Sequence, residues 1–166
     1  LKVEAVYMPS QYNSQLSYDL CVEMCRNIGL KLKVLSLKFL HQTLKMTYKD
    51  SIGEELEGLP DENIQSRLRG SLIFARSNQI GGMVINTSNK SELAVGYSTL
   101  YGDSVGAISP LGDLYKTEVY QLANFINKHF NNIIPEEIIT RPPSAELREG
   151  QKDEDSLPPY DRLDLI

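Results

Sequence analysis

The chain has 166 residues, 41% of them hydrophobic and 23% charged, with a net charge of −5 and a pI of about 5.1. That length supports one domain with its own core, and the acidic balance excludes the basic field that broad nucleic-acid binding needs. No apolar run approaches a membrane span and no basic-then-apolar opening marks a signal peptide, so a cytoplasmic protein with no nucleic-acid and no membrane partner is expected.

Residues 1–8 read as a strand closed by Pro9. Residues 14–28 carry a helical period, with Leu16, Leu20 and Met24 four apart and Gly29 as the stop. Cys21 and Cys25 share a face of that helix, but no His or further Cys completes a metal set, so a buried, reduced pair is expected. Residues 31–37 read as a second strand, a helix-like stretch follows around 39–48, and 51–61, with its glycines, glutamates and Pro60, reads as a loop. Residues 62–78 predict a helix whose stripe of Ile64, Leu68, Leu72 and Ala75 faces inward, ended by Gly81-Gly82. A short buried strand at 83–86, a short helix at 89–95 and a glycine-punctuated loop at 96–112 come next. Asp113 is expected to cap a further helix with Tyr115, Val119, Leu122, Ala123 and Ile126 inward. From Pro135 onward the tail allows only short helices. Strands alternating with helices at this spacing predict an open, mainly parallel α/β sheet. Leu1 already lies in a strand-like run and Leu165-Ile166 carries no helix stop, so both ends are expected to be cuts.

Ligands of open α/β sheets bind beyond the carboxyl ends of the strands. Residues 87–92 sit there and offer hydroxyls, an amide and a carboxylate; equally, Asn89 and Glu92 can form a capping box. Asn63 and Arg67 share a helix face, with Arg69 and Arg76 as further cations, either for a ligand or as a solvated face. Lys116, placed at the third residue of its helix, joins a positive helix terminus and suits a phosphate, or is simply exposed. The segment 96–103, with two glycines and two tyrosines, can approach and stack on a ligand or pack as a turn, and 151–155 reads as a mobile, exposed acidic loop.

Five runs then stop looking independent: Glu62-Asn63-Ile64-Gln65-Ser66-Arg67, Thr87 with Glu92, Gly96-Tyr97-Ser98-Thr99-Leu100-Tyr101-Gly102-Asp103, Asp113-Leu114-Tyr115-Lys116-Thr117 and Pro143-Ser144-Ala145-Glu146-Leu147. In order and spacing they resemble the NAD synthetase family, as does the end around Gln151, Asp153-Glu154-Asp155, Leu157 and Tyr160. The tyrosine-rich loop is more similar to the synthetase domain of the glutamine-dependent branch. The resemblance implies a three-layer α/β/α fold of the adenine-nucleotide alpha-hydrolase, or ATP pyrophosphatase, type. It implies that ATP, with Mg²⁺, adenylates the nicotinate carboxylate of deamido-NAD and that ammonia, free or drawn from glutamine, displaces AMP. It further implies a homodimer or larger homo-oligomer. Residue by residue, it gives Asn63 and Arg67 to deamido-NAD, Thr87 to ATP, and Glu92 to Mg²⁺ or the dinucleotide. Tyr97, Ser98, Thr99 and Leu100 would line the nicotinate side, Lys116 would meet the ATP phosphates, and Ser144 would sit near them.

Two departures stand out. The family's Ser-Gly-Gly-x-Asp-Ser loop is not among these residues, and Ala107 stands where the family can carry an aspartate. Residues 1–166 are therefore expected to be a single, partial synthetase domain cut at its N-terminal side and inactive alone. The alternative is a non-catalytic binding or assembly domain that has lost the ATP loop; another ligase of the same superfamily is a weaker rival. Without the strand that bears the loop, its flanking strands would face a gap, filled from elsewhere, closed by direct pairing, or left marginally stable.

Overall fold

The computed structural model describes residues 2–166. Strand β1 (Ala5–Tyr7) leads through helix α1 (Gln15–Asn27) into β2 (Leu32–Val34), and the two strands pair in parallel with Ala5 opposite Leu32. Both are shorter than the sequence implies, although Leu35 N–H to the Tyr7 carbonyl and Leu37 N–H to the Pro9 carbonyl, each 2.8 Å, continue the association. The start of α1 is locally encoded: Ser14 accepts from the Ser17 amide at 3.1 Å. Cys25 is buried and Cys21 half-buried, both free.

Helix α2 (Lys38–Ile52) ends on Gly53, and α3 (Leu59–Ile80) begins with Pro60 in its first turn. The loop expected over 51–61 is therefore only the short stretch between them, because Pro60 opens the helix instead of breaking it. At 22 residues, α3 is roughly 33 Å long at 1.5 Å per residue. Its fully buried face is Asp61, Gln65, Ser66 and Gly70, not the apolar stripe: Ile64, Leu68 and Leu72 are half-buried and Ala75 is exposed. The reason is the partners that α3 meets. His41 Nε2 lies 2.7 Å and Lys45 Nζ 3.2 Å from Asp61 Oδ1, tying α2 to α3 through a buried polar contact.

Residues 83–86 do not form the expected strand. Ile85 makes one isolated parallel bridge with Ile108, supported by Ala107 N–H to Val84 O (2.8 Å) and Asn86 N–H to Ile108 O (2.9 Å). Their partner is an irregular loop, so no ladder develops. Among the described residues no backbone hydrogen bond joins this piece to β1 or β2, so the two sides do not pair directly. Instead α3 spans both. Arg69 Nε donates to Met8 O at 2.9 Å on the β1 side, and Asp103 N donates to Ser66 Oγ at 3.0 Å on the other.

Helix α4 (Lys90–Val95) is followed by α5 (Lys116–His129), α6 (Glu136–Thr140), a 3₁₀ turn at Asp153–Asp155 and α7 (Tyr160–Leu163), so the tail carries short helices as expected. Asp113 does not cap α5. The helix begins at Lys116 after the N-cap Tyr115, whose amide donates to Glu118 Oε2 at 2.8 Å, and Asp164 Oδ2 accepts from Thr117 N (2.9 Å) and Thr117 Oγ1 (2.8 Å). Leu122, expected inward, is exposed. Among the described residues no helix is long and apolar enough to cross a membrane.

Candidate functional site

A cavity of about 460 Å³ opens among α4, α5, α6 and the tail. Thr87, Glu92, Tyr97, Lys116 and Ser144 line it, so five of the sequence-predicted site residues come together. Its remaining walls include Ser88, Asp103 and Asp153, the apolar Val119, Ile138 and Ile139, and Arg141. Neither Arg141 nor Asp103 was a candidate from the sequence.

Glu92 satisfies both readings of its motif. Its Oε2 accepts from Asn89 N at 3.3 Å while Asn89 Oδ1 accepts from Glu92 N at 3.1 Å, a capping box that starts α4. The other oxygen, Oε1, faces Lys116 Nζ at 3.2 Å. The cap thus holds the carboxylate in one rotamer and aims its free oxygen at the lysine. Lys116 is the first residue of α5, not the third, with its amide on Ser91 Oγ at 2.8 Å and its ammonium 5.3 Å from the Tyr160 ring centroid. Ser91 Oγ also bonds Asp164 Oδ1. Burial pushes the Asp164 carboxyl up, but the donors on Ser91 and Thr117 together outweigh it and hold it below the ordinary range.

The tail closes one side. Asp153 is buried, not exposed, and accepts from Tyr160 OH at 2.9 Å and, weakly, from Tyr97 OH at 3.4 Å. Its amide donates to Pro143 O at 3.0 Å, and Ser144 Oγ donates to Gln151 O at 2.6 Å. Of the acidic run expected to be exposed, Asp153 alone turns inward, because two phenols donate to it, while Glu154 and Asp155 are exposed. Burial, then the nearby Asp153 carboxylate, pushes the Tyr97 hydroxyl up to about 12 and raises Tyr160 well above its ordinary value.

The other candidates assemble outside this cavity. Thr99 Oγ1 donates to Asn63 Oδ1 at 2.8 Å, and Arg67 Nε donates to the Leu100 carbonyl at 3.1 Å, so α3 holds the tyrosine-rich loop by its polar edge. Thr99 is buried, Ser98 half-buried and Leu100 exposed. The loop lies so close to α3 that a Cβ on Gly102 would fall 2.4 Å from Ser66 Oγ, and one on Gly70 2.7 Å from Tyr101 O. Only glycine fits at either position. Tyr101 is left 80% exposed at φ +64°.

As to metal, no cluster of three or more His, Cys, Asp or Glu exists among the described residues, so the chain offers no closed protein cage. Magnesium commonly takes one or two carboxylates plus substrate phosphates. Glu92 borders the cavity and fits that mode only by exchanging its contact with Lys116 for the ion, since Asn89 N and Lys116 Nζ engage its two oxygens; both Asp153 oxygens accept from phenols, and Asp103 accepts its internal donors on Oδ1.

The fold and this cavity define an α/β protein of the ATP pyrophosphatase type, the architecture of its structural neighbours. The NAD synthase family model matches residues 1–166, and the chain belongs to that family. It is 48% identical over 165 residues to the glutamine-dependent NAD(+) synthetase of Xanthomonas campestris pv. campestris and 44% identical over 164 residues to that of Aquifex aeolicus. In both cases 99% of this chain is covered, but it spans only about 30% of the relative's length. The glutamine-dependent NAD+ synthetase of Acinetobacter baumannii, solved with ADP, superposes with a TM-score of 0.79 at 38% identity, covering 97% of this chain and 28% of that one. The NMN synthetase of Francisella tularensis gives 0.84 at 28% identity, covering 97% and 64%.

Proposed function

We propose that these residues form part of the site of an enzyme that makes NAD by ATP-dependent amidation of deamido-NAD. The observation that carries this reading is the Glu92–Lys116 pair, held by two helix starts and facing a cavity also lined by Thr87, Tyr97 and Ser144. Family membership supports reading that pair as part of a nucleotide site. A nicotinate carboxylate oxygen attacks the α-phosphorus of ATP, and the bond to the bridging oxygen breaks to release pyrophosphate. Ammonia then attacks the acyl carbon and loses a proton, and AMP departs. Lys116 offsets the charge growing on the phosphoryl oxygens, and the low, partly apolar cavity strengthens that interaction. Thr87 and Ser144 orient the nucleotide by hydroxyl contacts, while Tyr97 borders the nicotinate. Mg²⁺, held by Glu92 and the phosphates, would supply further neutralisation.

Asn63 and Arg67 contact deamido-NAD from the α3 edge, where a second subunit would lie, and Ser98, Thr99 and Leu100, held by that edge, line the nicotinate side with Tyr97. Residues 1–166 act as one partial domain: the Ser-Gly-Gly-x-Asp-Ser loop is supplied by chain beyond them, so the isolated piece is inactive. The names of the relatives favour glutamine as the source of ammonia, and a cytoplasmic location follows from the substrates. The NMN synthetase neighbour makes the mononucleotide analogue of deamido-NAD the one competing substrate worth testing. The experiment is to express the natural gene product carrying these residues and follow NAD formation from ATP, deamido-NAD and either ammonia or glutamine. NAD and AMP in equal amounts are expected. Amidation of only the mononucleotide would change the substrate. No ATP-dependent amidation would leave the non-catalytic assembly reading.

A further inference from the structure

Of the charged groups lining the cavity, Glu92 and Lys116 pair with each other, while Asp103, Asp153 and Arg141 take part in no ion pair among the described residues. Lys116 is engaged by Glu92 at 3.2 Å. Asp103 accepts from Thr99 N at 2.6 Å and from Ser66 Oγ at 3.3 Å, and Asp153 from Tyr160 OH at 2.9 Å. Arg141 alone among the lining cations takes part in no ion pair among the described residues. It is nevertheless placed, not loose. Its Nη1 donates to Ser17 Oγ at 2.9 Å, and the buried Ser17 passes its own proton to Glu146 Oε1 at 2.6 Å. Glu146 is further occupied by Asn13 Nδ2 at 2.8 Å and Ser14 Oγ at 2.9 Å, so its charge is spent on α1.

Arg141 also borders a second, smaller cavity of about 200 Å³ whose other charged walls are Glu146 and Arg148, and Ser144 is common to both cavities. A guanidinium with free donors at the junction of two cavities suits an extended, multiply charged oxyanion, which it can engage by two parallel N–H bonds.

We propose that Arg141 is a substrate-binding residue that grips a phosphoryl group of the nucleotide where the two cavities meet, positioned by Ser17. This deepens the function proposed above and rests on it for the identity of the nucleotide. The reason for a ligand role beyond a structural tie is that the tie uses one nitrogen and reaches the Glu146 carboxylate only through Ser17, with no direct ion pair.

The test uses the natural gene product, with inorganic pyrophosphate and ATP as probes in calorimetric titrations. Arg141→Gln, which keeps a donor for Ser17, should weaken both by about tenfold, the loss of one charge-assisted contact. Its unfolding temperature should stay near that of the parent. Independently of any variant, pyrophosphate should shield Arg141 from phenylglyoxal, read by mass spectrometry. Pyrophosphate affinity unchanged in Arg141→Gln, or labelling of Arg141 unaffected by pyrophosphate, overturns the proposal. So does a parent protein that binds no pyrophosphate. If the parent makes NAD and Arg141→Gln binds as the parent does, this assignment fails and the reaction stands. If Arg141-dependent pyrophosphate binding persists without NAD formation, the assignment stands and the reaction fails.

Discussion

The seams of this molecule and its outer faces are built from opposite materials. Where α3 meets α2, the tyrosine-rich loop and the tail, the contacts are polar and buried or partly buried: His41 with Asp61, Asn63 with Thr99, Ser66 with Asp103, and Gln65 with the Leu147 carbonyl. On the outer faces large apolar side chains stand open, among them Phe39 at 79%, Met83 at 68% and Phe125 at 57% exposed. Polar seams fix direction, since a hydrogen bond tolerates little misalignment, whereas apolar contact fixes only proximity. The site is therefore held by the part of the structure that specifies geometry. The faces resemble surfaces that another body covers, in line with a chain that spans about 30% of its relatives' length.

The sharpest way to break that contrast is to cut a seam and a face and compare. Asp61→Ala leaves the buried His41 and the partly buried Lys45 without their acceptor, and breaking such a buried pair costs about 3 kcal/mol. Phe39→Ser should change stability by less than about 0.5 kcal/mol, as exposed substitutions do. Urea unfolding of both variants measures the difference. A Phe39→Ser loss as large as that of Asp61→Ala would mean that the faces, not the seams, hold the fold.

Glu92 separates geometry from chemistry within one side chain. Glu92→Gln keeps an acceptor for the Asn89 amide, so the start of α4 should lose less than about 1 kcal/mol. The charge facing Lys116 is gone, and turnover of the full gene product should fall on the order of 100-fold. Steady-state rates across Mg²⁺ concentration, beside thermal unfolding, give both numbers. A near-normal rate at limiting Mg²⁺ would reduce Glu92 to a helix cap.

On the α3 edge, Arg67→Ala should weaken deamido-NAD by about tenfold while ATP binding holds. Arg67 touches the Leu100 carbonyl but does not line the cavity. Equal loss of both ligands would show that the seam was disturbed and no ligand contact removed.

What could be read from the sequence follows the range of the interaction. The Asn89–Glu92 box is a code three residues long and is found where the sequence implies it; the Ser14 cap is as local, inside the stretch read as helix. The start of α5 is shared between the local Tyr115–Glu118 contact and two distant acceptors, Ser91 on Lys116 N and Asp164, 47 residues after Thr117, and none of these is the expected Asp113. The apolar stripe on α3 is real as a period, but the period does not reveal that the neighbours present a histidine, a carbonyl and a carboxylate to the opposite face. Residues 83–86 have the composition of a strand and lack a regular partner. Arg141 belongs to no local motif; only the folding of the tail onto α1 gives it a meaning.

The smallest expected effect lies at the seam between the tail and α1, and it is visible only in acid. Burial pushes the Glu146 carboxyl up, but hydrogen bonds from Ser17, Asn13 and Ser14 together outweigh it, leaving its pKa below the ordinary glutamate value of 4.5. A folded-state pKa below the unfolded one means that folding favours the ionised form. The contribution is therefore full above about pH 4.5 and fades as pH drops through the folded value. Because the group is partly exposed, solvent screening keeps the effect small. Glu146→Gln retains an acceptor for Ser17 but cannot titrate. Its unfolding temperature should lie slightly below the parent's at neutral pH, and the two curves should converge as pH falls below 4.5, the parent having the steeper acid limb. Parallel curves down to pH 3 would show that the three donors hold the neutral acid as well as the carboxylate, and that the charge at this seam contributes nothing to its strength.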